Sequence, residues 1–219
     1  MENKSGSTLI HDAIALFIIT LVAGVLLGAV YTITKDPIEK ADEKTTNEAY
    51  AAVYKDAEFN ADDALTKSLE SFQKDLTAGK ADDENFSYTD VELIEARTAK
   101  TSDGNGYVLK AAAKGYGGNV IIALGISGEG KVLGIQILDA SNETPGLGQN
   151  STKEEWNKQY IGASSDKPLN VVKDGSGSTD NGTINAISGA TITSKAVTRA
   201  VNASLKFVGS MAADGSTAN

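Results

Sequence analysis

Two short segments of the sequence hold the residues best suited to chemistry. The first is Asn185-Ala186-Ile187-Ser188-Gly189-Ala190-Thr191-Ile192-Thr193-Ser194, where hydroxyl side chains crowd around a Gly-Ala pair. It follows a strand-like run from Thr183 to Ile187 and precedes a helix expected from about Ser194 to Val208. A helix start carries unpaired N–H groups and the positive end of the dipole, so a phosphate is favoured there. Gly189 and Ala190 leave room for a bulky group, and Thr191 offers a hydroxyl that can be esterified. Ser188, Thr191 or Thr193 could equally do no more than cap the helix, as hydroxyl residues commonly do. The residues alone leave both readings open.

The second segment is Asn142-Glu143-Thr144-Pro145-Gly146-Leu147-Gly148. Pro145 presets φ and Gly146 tolerates a positive φ, so by itself the pattern means a tight loop. No general base or activated nucleophile accompanies either segment, so no catalytic residue is assigned. The chain has no Cys and a single His, His11. That removes thiolate metal sites, cysteine-ligated iron–sulfur clusters and disulfides, and leaves no pair of histidines for a metal. A net charge of -9 supplies no basic excess for a nucleic-acid partner.

The elements that position these segments are legible in outline. Residues 1–12 read as a short tail, and 13–34 contain no charge and are long enough for a transmembrane helix. A cleaved signal peptide would have a shorter apolar region and an Ala-x-Ala-like site, so an uncleaved anchor is expected. Gly24 and Gly28 form Gly-x-x-x-Gly, which allows close helix contact in lipid. Lys4 precedes the span and Lys35, Lys40 and Lys44 follow it. Taken naively this would place the following domain in the cytoplasm, but the rule is weak for long translocated domains, so charge leaves the orientation open. Residues 35–80 read as a helical linker or stalk. Within it Ala49, Tyr50, Val53 and Tyr54 share a helix face, and a break falls around Glu58-Phe59-Asn60. From Phe86 to Ala140 the pattern is of strands, clearest at 107–110, 120–126 and 132–138, with a turn at Gly128-Glu129-Gly130. A short helix at 153–160 and a Gly/Ser/Asp loop at 174–182 lead to the Thr191 segment. The fold class is α+β: one N-terminal transmembrane helix, then an antiparallel sheet flanked by helices in a domain at 81–211, and a flexible tail at 212–219.

Ser188-Gly189-Ala190-Thr191 resembles the flavinylation motif, Asp-x-x-Ser/Thr-Gly-Ala-Thr, of the FMN-binding domain family, with Asn185 standing where that motif has Asp. Glu143-Thr144-Pro145-Gly146-Leu147-Gly148 resembles the segment that the same family shows upstream. The resemblance implies that Thr191 carries FMN covalently through a phosphoester, installed by a flavin transferase with FAD as donor. It implies that the N–H groups near Ile192, Thr193 and Ser194 meet the phosphate. Glu143, Thr144, Gly146 and Leu147 would form a wall against the isoalloxazine. Trp156 would shield a ring edge or lie in the core. The whole arrangement is similar to the G subunits of Rnf-type ion-translocating ferredoxin:NAD oxidoreductases, relatives of the C subunit of the sodium-pumping NADH:quinone reductase. That likeness implies electron relay between neighbouring subunits. It implies other integral-membrane subunits as partners, and lipid around a single-pass anchor in the cytoplasmic membrane. The domain would be extracytoplasmic. Two other readings stand beside it: a membrane-anchored FMN carrier outside any ion pump, and a tethered binding or scaffold domain without flavin.

Overall fold

The computed structural model describes residues 4–102 and 104–213 of the chain. Its first element, α1, is a helix over Lys4–Val53. The expected tail at 1–12 is therefore helical from Lys4 onward, because the helical pattern runs on past the apolar span at both ends. An 18-residue window of α1 has a mean hydropathy of 2.8 with none of it buried, so the helix is long and apolar enough to cross a membrane. The threonine hydroxyls of its apolar span are satisfied inside the helix. Thr20, Thr32 and Thr34 donate to the carbonyls of Leu16, Gly28 and Val30 at 3.0, 2.9 and 2.9 Å. Such back-bonding is what an apolar solvent demands of a polar side chain.

The chain divides into two compact units, Met1–Thr45 and Thr46–Asn219. The segment read as a stalk is thus split, and from Thr46 it is part of the second unit. The cause is the apolar face already visible in the sequence: Ala49, Tyr50, Val53 and Tyr54 bury against Ala99, Val108 and Ala123. The break at Glu58–Asn60 is a strand, β1, paired with Thr98 to Lys100. Helix α2, Asp63–Thr77, starts at the Asp62 carboxylate, which accepts from the N–H groups of Ala64 and Leu65 at 2.7 and 3.0 Å.

Strands β2 (Val91–Thr101), β3 (Gly104–Lys114), β4 (Asn119–Ser127) and β5 (Val132–Asp139) complete an antiparallel sheet in the order β1-β2-β3-β4-β5. Strand β3 is buried from Gly106 to Ala113, on both faces of the sheet. That double burial explains why β3 and β4 read as continuous apolar runs and not as alternation. After β5 come a 3-10 turn at Gly148–Thr152, helix α3 (Glu154–Asn157) and a further 3-10 turn at Lys158–Tyr160. Strands β6 (Asn170–Val172) and β7 (Thr183–Asn185) then pair in parallel. Helix α4 spans Thr191–Ala213, so it begins at Thr191 and not at Ser194. It also occupies the first two residues of the expected tail; residues 214–219 lie outside the described part. Ala196, Val197, Ala200, Val201, Leu205 and Val208, at helical spacing, join the main core with Leu109, Ile122 and Leu124 of the sheet.

Candidate functional site

The two chemically promising segments are both turns with glycine at the third position, and the fold sets them against each other. In the first, Leu147 N–H donates to Thr144 O at 3.1 Å with Gly146 at φ +75°. In the second, Ala190 N–H donates to Ile187 O at 2.9 Å with Gly189 at φ +74°. Only glycine adopts that conformation without strain. At Gly189 the space is also taken, since a Cβ there would lie 2.9 Å from Leu147 Cδ2. Leu147 thus packs over the second turn.

The start of α4 is pinned by Ser194. Its hydroxyl accepts from Ile187 N–H and donates to Ala190 O, both at 2.9 Å. Ser194 N–H is spent on Ala190 O at 3.0 Å, so it is not available to a phosphate, contrary to the sequence expectation. The helix begins three positions upstream, which moves the unpaired donors to Thr191, Ile192 and Thr193. None of the three expected caps is a cap. The Ser188 and Thr191 hydroxyls have no hydrogen-bond partner among the described residues, and Thr193 donates elsewhere.

Thr193 Oγ1 donates to Glu143 Oε2, joining the two segments through buried atoms. Glu143 Oε1 accepts from Gly117 N–H at 3.0 Å, in the turn between β3 and β4. Glu143 is therefore the floor of the site, and both its oxygens are engaged within the protein. A cavity of ≈490 Å³ opens above it, lined by Glu143, Thr144, Leu147, Gly148, Gly189 to Thr193, and one residue the sequence did not suggest, Tyr116. That volume lies within the range of small-molecule and cofactor sites. Ser188 and Gly146 belong to the turns but not to this lining. Trp156 stands elsewhere: its indole N–H donates to Asn185 O at 2.8 Å and its ring meets Tyr160 edge-on at 5.3 Å. It braces the end of β7 and does not reach the cavity.

Asn185, the departure from the flavinylation pattern, is also a brace. Its Oδ1 accepts from Gly177 N–H at 2.8 Å, and its own N–H donates to Gln159 Oε1 at 2.9 Å. Tyr116 carried no signal in the sequence, because it is a lone aromatic in a glycine-rich turn; Gly148 closes the Glu143–Gly148 segment, but the sequence alone gives it no role there. The site offers an anionic, planar ligand a free hydroxyl, three free N–H groups and an apolar rim of Tyr116, Leu147 and Ile192. Those features fit a flavin mononucleotide.

Comparison with known proteins agrees with the geometry. Residues 115–206 match the FMN-binding domain family, a stretch that contains both segments and Tyr116. The sequence is 38% identical over 197 residues to the G subunit of the Na(+)-translocating ferredoxin:NAD(+) oxidoreductase complex of Acetobacterium woodii, covering 87% of each chain. It is 31% identical over 194 residues to the G subunit of the proton-translocating ferredoxin:NAD(+) oxidoreductase complex of Clostridium ljungdahlii, covering 88% of each. Among solved structures, the C subunit of the Na(+)-translocating NADH-quinone reductase from Parabacteroides distasonis is similar at a TM-score of 0.44 and 18% identity. The match covers 66% of this chain and 94% of that one.

Proposed function

The chain belongs to the G-subunit family of ion-translocating ferredoxin:NAD(+) oxidoreductase complexes, and on that premise we propose that Thr191 carries its FMN as a covalent phosphoester. The observation that carries the proposal is the Thr191 hydroxyl itself. It is half-buried at a cavity between two motif turns, without a hydrogen-bond partner, in the first turn of α4. In the attachment step Thr191 Oγ attacks the phosphorus on the riboflavin side of the FAD pyrophosphate. The P–O–P bond breaks, AMP departs, and the hydroxyl proton leaves to solvent or to a base of the transferase. No electrons are exchanged.

The chain's residues then hold the ester and shape the surroundings. The N–H groups of Thr191, Ile192 and Thr193 would hold the phosphate oxygens, and Leu147 and Ile192 would supply apolar contact. Glu143 fixes Thr193 and the β3–β4 turn. Once attached, the flavin supplies one- and two-electron chemistry that lets the protein relay electrons between partners. Helix α1 anchors the chain, the folded unit lies on the extracytoplasmic side, and the partners are the other integral-membrane subunits of the complex.

The test is to make the full chain in bacterial cells together with a flavin transferase, beside Thr191→Ala. In-gel fluorescence and intact mass are expected to show one FMN phosphoester on the native chain and none on the variant. A protease added outside intact spheroplasts should remove the fluorescent unit. A native chain without added mass, beside a control substrate that is flavinylated, refutes the covalent reading. Protection of the unit from external protease refutes the topology.

A further inference from the structure

The β3–β4 turn, Gly115-Tyr116-Gly117-Gly118, is built to hold one side chain in one place. Gly115 N–H donates to Gly118 O at 2.7 Å, closing the turn directly after the Lys114↔Asn119 pair. Glu143 Oε1 holds it from below through Gly117 N–H at 3.0 Å. The turn packs closely on the other segment: a Cβ at Gly117 would collide with the backbone oxygen of Asn142, and one at Gly115 with the Glu143 side-chain Oε1. The residue this turn presents is Tyr116, which is 72% exposed and lines the same cavity as Thr191 and Ile192. Tight turns ordinarily take Gly, Pro, Asn, Asp or Ser, so turn formation does not call for tyrosine. Packing does not call for it either, since the ring is mostly in solvent. Its hydroxyl has no hydrogen-bond partner among the described residues. A rigid seat beside the cavity, an aromatic face left bare, and a rim completed by Leu147 and Ile192 all describe a surface waiting for a flat conjugated ring.

We propose that Tyr116 is a binding residue for the isoalloxazine, its ring face stacking on the cofactor while Thr191 holds the phosphate end. The inference rests on the FMN reading given above. Without the stack, the tethered ring would be held only at one end and would swing about the phosphoester. An aromatic pair of this kind shifts the balance between stacked and free ring by roughly 2- to 10-fold.

The experiment uses the full chain in detergent, flavinylated by the transferase, as wild type, Tyr116→Ser and Tyr116→Phe. Intact mass gives the loading of each sample. The anisotropy of flavin emission and the visible circular dichroism, both taken per attached flavin, report how firmly the ring is held. The expected result is a loaded Tyr116→Ser protein with lowered anisotropy and weakened dichroism, and a Tyr116→Phe protein close to wild type. Loss of loading in Tyr116→Ser alone would also place the ring in contact with the cofactor. Equal anisotropy and dichroism in all three loaded proteins overturns the proposal. Absence of flavin mass from wild type, with a control substrate loaded, overturns the cofactor reading and this inference with it.

Discussion

Cutting the Glu143–Thr193 bond is expected to destabilise the folded unit by an amount that thermal unfolding can read. Glu143 is 2% and Thr193 1% exposed, so neither group recovers its loss from water. A hydrogen bond to a charged group contributes about 1.5–3 kcal/mol. Glu143→Ala also strips the acceptor from Gly117 N–H, which brings its expected cost to about 2–4 kcal/mol. An opposing effect must be weighed: no cation pairs with Glu143 among the described residues, so removing the charge also relieves some desolvation. Glu143→Gln separates the two. It keeps an acceptor for Gly117 and a polar partner for Thr193 while discarding the charge, and it is expected near wild type. For a unit of this length each kcal/mol moves Tm by about 2–4 °C, which puts Glu143→Ala about 5–15 °C low. The only tryptophan, Trp156, braces β7 behind the site and gives a fluorescence probe confined to the folded unit. The double variant with Thr193→Val should fall short of the summed single losses by about 1.5–3 kcal/mol, since both remove one bond. A drop under about 2 °C for Glu143→Ala, or strict additivity in the cycle, refutes the view that this bond joins the two motifs.

Two further outcomes follow from individual groups. Asn185→Asp restores the carboxylate usual in the flavinylation motif and keeps the acceptor for Gly177 N–H, so Tm should move by less than about 2 °C. Flavin incorporation should match or exceed wild type, and a fall measured by intact mass would show that the amide itself is required. Asp83 meets opposing influences. Burial pushes its carboxyl up, but hydrogen bonds from Tyr88, Lys206 and the N–H groups of Asn85 and Phe86 outweigh this and hold it below the usual range. A depressed folded-state pKa adds stability that is present above the unfolded value, about 3.9, and is lost as pH falls through the folded one. Asp83→Asn should therefore narrow its Tm gap to wild type as pH falls from about 6 toward about 3, and a gap that stays constant would refute this role.

How much of this was legible depended on the length scale of each signal. The apolar span and the strand runs of β3, β4 and β5 were long enough for periodicity and composition to declare them. The shared face of Ala49, Tyr50, Val53 and Tyr54 was legible too, but not that it buries on the sheet. That contact is what carries the end of α1 into the folded unit. Strands β1 and β6, three residues each, are too short to carry a period, and a parallel partner for β7 is a long-range fact. The start of α4 was misplaced because Ser194 reads as a beginning. In the fold its hydroxyl reaches back to Ile187 and Ala190, and Ala190 takes the boundary position. The motif residues of the site were legible through resemblance. Tyr116 was not, because its meaning comes from Glu143, which lies far along the chain and beside it only in space.

The composition of the site gives a physical reason for a covalent link. Among the described residues no lysine or arginine lines the cavity, and its floor is the buried Glu143 carboxylate. An anionic phosphate there has only the first turn of α4 in its favour, and a helix terminus contributes about 0.3–1 kcal/mol, rising to about 2 where partly buried. Even micromolar retention of a dissociable ligand needs about 8 kcal/mol, so the apolar rim would have to provide most of it from a half-open surface. A phosphoester removes that demand, because retention no longer depends on affinity. With the phosphate held in the proposed ester, the rim residues and Glu143 would be free to set the ring's position and its electrostatic surroundings. With FMN in this cavity as proposed, a fixed carboxylate on its floor would disfavour added negative charge on the ring.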